Sequence, residues 1–269
     1  MNLNWVEKLE KLNQEFVVCV GVDPIYEKIR ELKFNSIYEW CEFLIEHTSE
    51  KANVYKFQMA YFEKSGIEGL EDLKKIIDYL KSNFPEKIII GDGKRSDIGS
   101  TANAYAEAMY SYWKFDVVTI NPYMGSDSII PFSEKEGALV ICKTSNPSSG
   151  EIQNLIVDNG QKVYKKVLEI VEKNNEGNNL GLVVGATFPK ELTEIREMNS
   201  QIPILIPGLG FQGGDLKKTI NSAKGDGINI INSSRGISFP SETFNSSQQY
   251  QDFIIKSLND FVISVGEHV

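Results

Sequence analysis

The chain has 269 residues, of which 41% are hydrophobic and 24% are charged, and its formal net charge is −9. This length suits two small domains or one large α/β domain, and the composition is that of a globular protein with a sizeable core. The acidic balance and the lack of a basic block argue against a nucleic-acid surface. No apolar run approaches the roughly 20 residues of a membrane span, so we expect neither nucleic-acid nor membrane partners.

Cysteine and histidine are scarce, which limits the chemistry that the chain can perform. Cys19, Cys41 and Cys142 show no CxxC spacing, so we expect no disulfide framework and no structural zinc. With no signal peptide at the start of the chain, a cytoplasmic location is expected. His47 and His268 lie near no motif. This argues against Ser-His or Cys-His nucleophilic chemistry and against an imidazole metal site, and leaves acid–base work to Lys, Asp or Glu.

Apolar, strand-like runs alternate with helical patterns along the whole chain. The predicted helices cover 3–13, 37–50, 67–83, 100–113, 163–171, 188–198 and 246–264. The predicted strands begin near residues 16, 53, 87, 116, 138, 181, 203 and 228. Each interval between strands leaves room for a βαβ crossover. We therefore predict an α/β fold, a single (β/α)8 TIM barrel over 1–269 with a short N-terminal lead-in helix; an open doubly wound sheet is the alternative.

Polar or glycine-rich positions stand at the carboxyl end of most of the predicted strands or just after it. In a (β/α)8 barrel the active site gathers at the carboxyl ends of the strands. We therefore expect these distant positions to face one another: Asp23, Lys56, Asp92, Lys94, Asn121, Thr144, Gly208, Gln212 and Arg235.

The third predicted strand ends in charges rather than in turn residues. Asp92 and Lys94 are two residues apart, so they share one face of the strand, and Asp97 follows where a helix begins. Three charges at the end of an apolar strand are costly to bury unless they pair. They form either a structural ion cluster or a functional site. Lys94, flanked by carboxylates, is expected to hold its proton and could act as a general acid.

The loop after the seventh strand reads Gly208-x-Gly210-x-x-Gly213, which is formally a dinucleotide fingerprint. That fingerprint belongs in an early βαβ unit, and here it stands in the penultimate one, so we reject this interpretation. Bare backbone N–H groups in a glycine loop favour a phosphate site instead, and Arg235 in the eighth loop suits the same anion. The structural alternative is a tight turn beside an exposed arginine.

Together these motifs resemble one enzyme family. Asp92-x-Lys94-x-x-Asp97-Ile98-x-x-Thr101 is similar to the signature of the orotidine 5′-phosphate decarboxylases. Further segments resemble the longer branch of that family: Gly21-Val22-Asp23-Pro24, Lys56-Phe57-Gln58, Asn121 to Gly125, Lys143 to Pro147, Pro207 to Gln212 and Ser234 to Ile237. A DxKxxD motif alone is shared with sibling barrels, whereas the complete set is specific.

The resemblance implies a carboxy-lyase that converts orotidine 5′-monophosphate to uridine 5′-monophosphate (UMP), the last step of de novo UMP biosynthesis, without metal or cofactor. It implies that Lys94 protonates the carbon that loses CO₂, that Asp92 faces the substrate carboxylate, and that Lys56 and Asp97 complete the charge network. It assigns Asp97, Ile98 and Thr101 to the partner subunit, hence a homodimer with shared sites. The implied substrate-binding residues are Asp23, Ile98, Thr101, Thr144, Ser145, Pro207, Gln212, Ser234 and Arg235.

Finer assignments also follow from the resemblance. Asp23 and Lys56 would hold ribose hydroxyls, and Gln212 and Arg235 the phosphate. Thr144 or Ser145 would contact the pyrimidine, and the choice between them is open, as is whether Lys143 is simply solvated. The competing functions are a Mg²⁺-dependent sugar-phosphate barrel, such as 3-keto-gulonate-phosphate decarboxylase or hexulose-phosphate synthase, and a non-catalytic phosphate-binding barrel.

Overall fold

The computed structural model describes residues 3–209, 215–241, 244 and 246–269. Eight parallel strands follow one another in chain order around a closed barrel. They are β1 (Phe16–Val22), β2 (Val54–Gln58), β3 (Ile88–Arg95), β4 (Val117–Ile120), β5 (Ala138–Lys143), β6 (Leu180–Val184), β7 (Ile204–Ile206) and β8 (Asn229–Ser233). Each begins within one residue of its predicted start. Pairing of Phe16 with Asn229 closes β1 onto β8, so the TIM barrel is confirmed and the open sheet is wrong.

Most helices of the described residues surround the barrel, and the first closes its amino end. They are α1 (Trp5–Glu10), α2 (Tyr26–Glu31), α3 (Ile37–Glu46), α4 (Met59–Lys64), α5 (Gly66–Asn83), α6 (Gly99–Glu107), α7 (Ile130–Ser133), α8 (Gly150–Gln153), α9 (Val163–Lys173), α10 (Pro189–Met198), α11 (Leu216–Ala223), α12 (Arg235–Ser238) and α13 (Ser247–Gly266). The predicted helix 100–113 continues from α6 into a π-helical turn, Ala108–Tyr112. The described 3₁₀ segments are Pro122–Ser128 and Pro147–Ser149. Within the described ranges, no helix is both long and apolar enough to span a bilayer.

The strands place alternate side chains in two apolar layers. On β1, Val17 and Cys19 point into the barrel, whereas Val18 and Val20 pack against the surrounding helices. The helix α1 closes the amino end of the barrel: Trp5 packs against the inward-facing layer, and its indole N–H donates to Asn179 O at 2.8 Å. The carboxyl ends of the strands are left to form the site.

Candidate active site

A cavity of about 430 Å³ lies at the carboxyl ends of the strands. Every second side chain of a strand points into the barrel. Lys56 follows the inward-facing Val54 by two residues, and Asp92 follows the inward-facing Ile90 by two, so both point into the cavity. Predicted site residues that line it are Asp23, Lys56, Asp92, Lys94, Thr144, Ser145, Pro207, Ser234 and Arg235. Distant strand ends therefore converge as predicted, but Asn121 does not join them: it is exposed, and its side-chain oxygen accepts from Tyr123 N at 3.1 Å.

The Asp92 carboxylate lies at the centre of the charged side chains in this cavity. It is buried, and each of its oxygens accepts two hydrogen bonds. Lys56 Nζ at 3.0 Å and Gln58 Nε2 at 3.1 Å donate to Oδ2. Lys94 Nζ at 2.6 Å and Thr119 Oγ1 at 2.8 Å donate to Oδ1. Four donors offset the cost of burying this charge.

Burial and pairing act in opposite directions on these groups. Burial alone would raise the pKa of Asp92, but Lys56, Lys94 and the hydrogen bond from Thr119 hold this pKa well below its usual range. Burial alone would lower the pKa of Lys56, but the carboxylates of Asp92 and Asp23 raise it above its usual value. Asp92 and Lys56 are therefore both ionised at neutral pH.

Lys94 differs from Lys56 in exposure and in backbone conformation. Its side chain is 47% exposed, compared with 5% for that of Lys56. Its φ of +45° lies in the left-handed region, which a residue with a Cβ rarely adopts. The pairing of β3 with β4 shifts register between Gly91 and Arg95, around this residue. The irregular backbone turns the Lys94 ammonium back onto Asp92 at the mouth of the cavity.

The far side of the cavity contains the predicted phosphate end. Pro207, Gly208, Ser234 and Arg235 line it, and Gly208 has a φ of +99°. Ser234 approaches β1 closely, because a Cβ added to Gly21 would lie 1.9 Å from Ser234 Oγ. Only glycine at that position lets the eighth loop reach this place. Gln212, the other predicted phosphate ligand, lies outside the described residues.

The loop after β5 supplies Thr144 and Ser145. The Gln153 side chain makes two hydrogen bonds to Thr144: its Oε1 accepts from Thr144 N at 2.9 Å, and its Nε2 donates to Thr144 Oγ1 at 2.8 Å. Across the cavity, Asp23 Oδ1 is buried and accepts no hydrogen bond from the described part of the chain. A buried acceptor of this kind is suited to a hydroxyl donor on a ligand.

Lys143 is not solvated, and that alternative is wrong. Its side chain is fully buried, with Nζ 2.8 Å from Ser149 Oγ and 4.2 Å from the centre of the Phe188 ring. It lies outside the cavity lining, because a register shift between Ile141 and Lys143 takes it out of the inward phase. Burial lowers the pKa of its ammonium.

The structure does not bring Asp97, Ile98 and Thr101 into the cavity of their own chain. The Asp97 carboxylate accepts the backbone N–H of Ile98 at 2.8 Å. Ile98 is 52% exposed, and Thr101 is exposed as well. These three residues therefore face away from the site that their motif helps to define.

No role was predicted for Asn146, in the loop after β5, or for three polar residues on strands that also line the cavity, Gln58, Thr119 and Asn232. Each of these three has the inward phase of its strand; Thr119, for example, follows the inward-facing Val117 by two residues. That phase was the signal that would have found them. Over the described ranges, no three His, Cys, Asp or Glu side chains are grouped so as to hold a metal ion.

Comparison with known proteins agrees with this geometry. The model of the "Orotidine 5′-phosphate decarboxylase / HUMPS family" matches residues 17–243. The chain is 39% identical over 255 residues to orotidine 5′-phosphate decarboxylase of Janthinobacterium sp. (strain Marseille), covering 90% of this chain and 93% of that protein.

Solved structures give the same result. The OMP decarboxylase of Leishmania donovani superimposes with a TM-score of 0.84 at 30% identity and covers 98% of both chains. The UMP synthase of the same organism superimposes with a TM-score of 0.81 at 32% identity, and this chain spans 56% of its length. From the family match and the identity to its relatives, the chain belongs to the orotidine 5′-phosphate decarboxylase / HUMPS family.

Proposed function

We propose that this chain converts orotidine 5′-monophosphate to UMP and CO₂ in the cavity around Asp92, as the last step of de novo UMP biosynthesis. One observation carries the proposal: a buried carboxylate lies between two lysines, and one of these, Lys94, is half exposed towards the ligand space. A non-catalytic phosphate-binding barrel would have no need of that arrangement. Relatives at 39% identity are decarboxylases by name, which supports the same reaction.

The reaction breaks the bond between the pyrimidine ring and its carboxylate. The electron pair stays on the ring carbon while CO₂ leaves, and Lys94 Nζ donates a proton to that carbon. Asp92, held ionised by Lys56, repels the substrate carboxylate, and this repulsion is relieved as CO₂ departs. The Lys94 ammonium stabilises the negative charge that develops on the carbon. No step of this scheme calls on a metal or an organic cofactor.

The remaining cavity residues hold the nucleotide. Arg235 and the Gly208 backbone bind the phosphate, with Pro207 and Ser234 beside them and Gln212 as a further predicted ligand. Asp23, whose buried Oδ1 accepts no hydrogen bond within the described residues, takes a ribose hydroxyl together with Lys56. Thr144 or Ser145 contacts the pyrimidine. Binding energy from these remote groups is available to drive the reacting ring against Asp92.

The site is completed by a second copy of the chain. Asp97, Ile98 and Thr101 lie outside their own cavity, and a second opening of about 450 Å³, lined by Met59, Lys94 and other residues, leads to the Lys94 side chain from outside. Exposed apolar side chains lie along this segment and on the 3₁₀ segment Pro122–Ser128 that contacts α6: Ile98, Tyr105, Tyr112, Tyr123 and Met124. A patch of this kind is typical of an interface. In the dimer, Asp97 of each subunit extends the charge network of the other.

The proposal also covers the cellular location and the domain organisation. Cys19, Cys41 and Cys142 are buried, free thiols, which supports a reducing, cytoplasmic location. We take residues 1–269 as one barrel domain.

The test is the loss of orotidine 5′-monophosphate absorbance in the presence of a chelator. We expect full turnover, because the proposed chemistry uses only side chains. Lys94→Ala should lower kcat by at least about 10³-fold, since it removes the proton donor, while UMP still binds. A need for added Mg²⁺ would favour a sugar-phosphate sibling instead, and near-normal turnover by Lys94→Ala would overturn the assigned mechanism.

A further inference from the structure

The hydroxyl of Thr119 on β4 joins the two groups on which the proposed chemistry depends. Its Oγ1 lies 2.9 Å from the backbone nitrogen of Lys94 and 2.8 Å from Asp92 Oδ1. An N–H group can only donate, so the hydroxyl accepts from Lys94 and its own proton is directed to Asp92. Thr119 is almost fully buried, which fixes both hydrogen bonds in place.

This hydrogen bond holds a backbone that is otherwise unfavourable. Lys94 has a φ of +45°, and a left-handed residue with a Cβ persists only where its surroundings hold it there. The regular ladder cannot do so, because β3 and β4 shift register between Gly91 and Arg95. Within this irregular stretch, the Thr119 hydroxyl accepts the hydrogen bond of the Lys94 N–H.

Gln58 provides a useful contrast. Its amide donates to Asp92 Oδ2 at 3.1 Å, the oxygen shared with Lys56. Thr119 donates to Oδ1, the oxygen that the Lys94 ammonium contacts at 2.6 Å. When the ammonium moves from Oδ1 towards a substrate carbon, Thr119 stays behind as the donor to that oxygen. Gln58 therefore supports Asp92 alone, whereas Thr119 supports both Asp92 and the residue that acts beside it.

We propose that Thr119 is a positioning residue for proton transfer: it anchors the Lys94 backbone and keeps Asp92 Oδ1 hydrogen-bonded while the Lys94 ammonium is engaged with substrate. This inference rests on the proposed role of Lys94 as the proton donor. A side chain that only fills space between β3 and β4 would affect stability and leave proton transfer unchanged. The proposal therefore predicts a loss in kcat that ligand binding does not share.

Thr119→Val tests this directly, because it keeps the branched shape and removes the hydroxyl. We expect kcat to fall about 10- to 100-fold from misplacement of the ammonium, with KM and the Kd for UMP changed less than about threefold. Thr119→Ser should restore most of the rate, since it returns the hydroxyl. Thr119→Ala is the second variant should valine disturb packing.

Thr48→Val is the matched control. Its hydroxyl is equally buried and donates to Leu44 O at 2.6 Å, in the outer layer of the fold. The Thr48→Val variant should lose stability, as Thr119→Val does, but keep its kcat. An unchanged kcat in Thr119→Val, or an equal loss of rate and UMP affinity, would overturn the inference. If Lys94→Ala itself keeps its turnover, the proposed function fails instead, so the two failures are distinguishable.

Discussion

Lys56 and Lys143 are both buried near the ends of barrel strands, yet their surroundings differ in one respect. Lys56 is 4% exposed and Lys143 is 0% exposed. Lys56 Nζ lies 3.0 Å from the Asp92 carboxylate, whereas Lys143 Nζ has the Ser149 hydroxyl and the face of the Phe188 ring. The pKa of Lys56 is raised by its carboxylates, and the pKa of Lys143 is lowered by burial. Burial alone therefore does not make a strand-end lysine part of the charge network; a carboxylate partner does.

Within the comparison of these two lysines, the largest effect is expected from Lys56→Met. It would leave Asp92 buried with one cation fewer, and breaking a buried ion pair from one side costs about 3 kcal/mol of the free energy of unfolding. The misplaced carboxylate should also lower kcat/KM by at least about 100-fold. Chemical denaturation and steady-state kinetics measure the two effects. A stable and active Lys56→Met variant would show that Lys56 is no more important than Lys143.

Lys143→Met is the matched substitution in β5, and its effect should be small. It removes a buried cation that has no carboxylate within ion-pair distance among the described residues. Replacing such a charge by an apolar side chain of similar length is close to neutral, within about 1 kcal/mol of unfolding free energy, with the Ser149 hydrogen bond as the loss. Turnover should be retained. A loss of stability as large as that of Lys56→Met would contradict the comparison.

The pH dependence of these two stability differences is the smallest effect and separates the lysines further. Lys56 has a raised pKa in the fold, so its contribution is fully present below its unfolded value of 10.5 and is lost only above it. Lys143 has a lowered pKa, so the unfolded chain binds more protons between that pKa and 10.5, and stability rises with pH in this window. From pH 7 to 10, the difference in free energy of unfolding between wild type and Lys56→Met should stay constant. Over the same range, the free energy of unfolding of wild type should rise relative to that of Lys143→Met. Parallel shifts in both would contradict the assigned directions.

Much of this molecule was predictable because barrel strands, which are buried on both faces, stand out in the sequence as continuous apolar runs. The strand starts were found to within one residue, and the positions of Lys56 and Asp92 at the ends of their strands correctly predicted that these side chains meet. Several helices were missed. α11 has few apolar residues, and α2, α4, α7, α8 and α12 are too short to show a helical period.

The placement of two lysines depends on strand register and was not predicted. Phase carried on from Leu139 and Ile141 would direct Lys143 into the barrel, and the shift in β5 turns it outward instead. The left-handed Lys94 likewise depends on the irregular pairing of β3 and β4. Such shifts depend on neighbouring strands and loops, which the local sequence pattern does not encode. Thr119 was missed for another reason, since its significance lies in contacts to a different strand.

Asp97 is a carboxylate that, like the Lys143 ammonium, has no partner of opposite charge among the described residues of its own chain. Within its own chain it accepts the Ile98 N–H, and none of the ion pairs among the described residues involves it. In the proposed dimer, the lysines that pair with Asp97 belong to the partner subunit. Mixing Lys94→Ala with Asp97→Ala subunits, each inactive alone, tests that claim most directly, because a hybrid dimer carries one intact site. After confirmed subunit exchange, we predict recovery of about one quarter of the wild-type rate per subunit. No recovery, or an Asp97→Ala variant that is fully active alone, would contradict a site shared between two subunits.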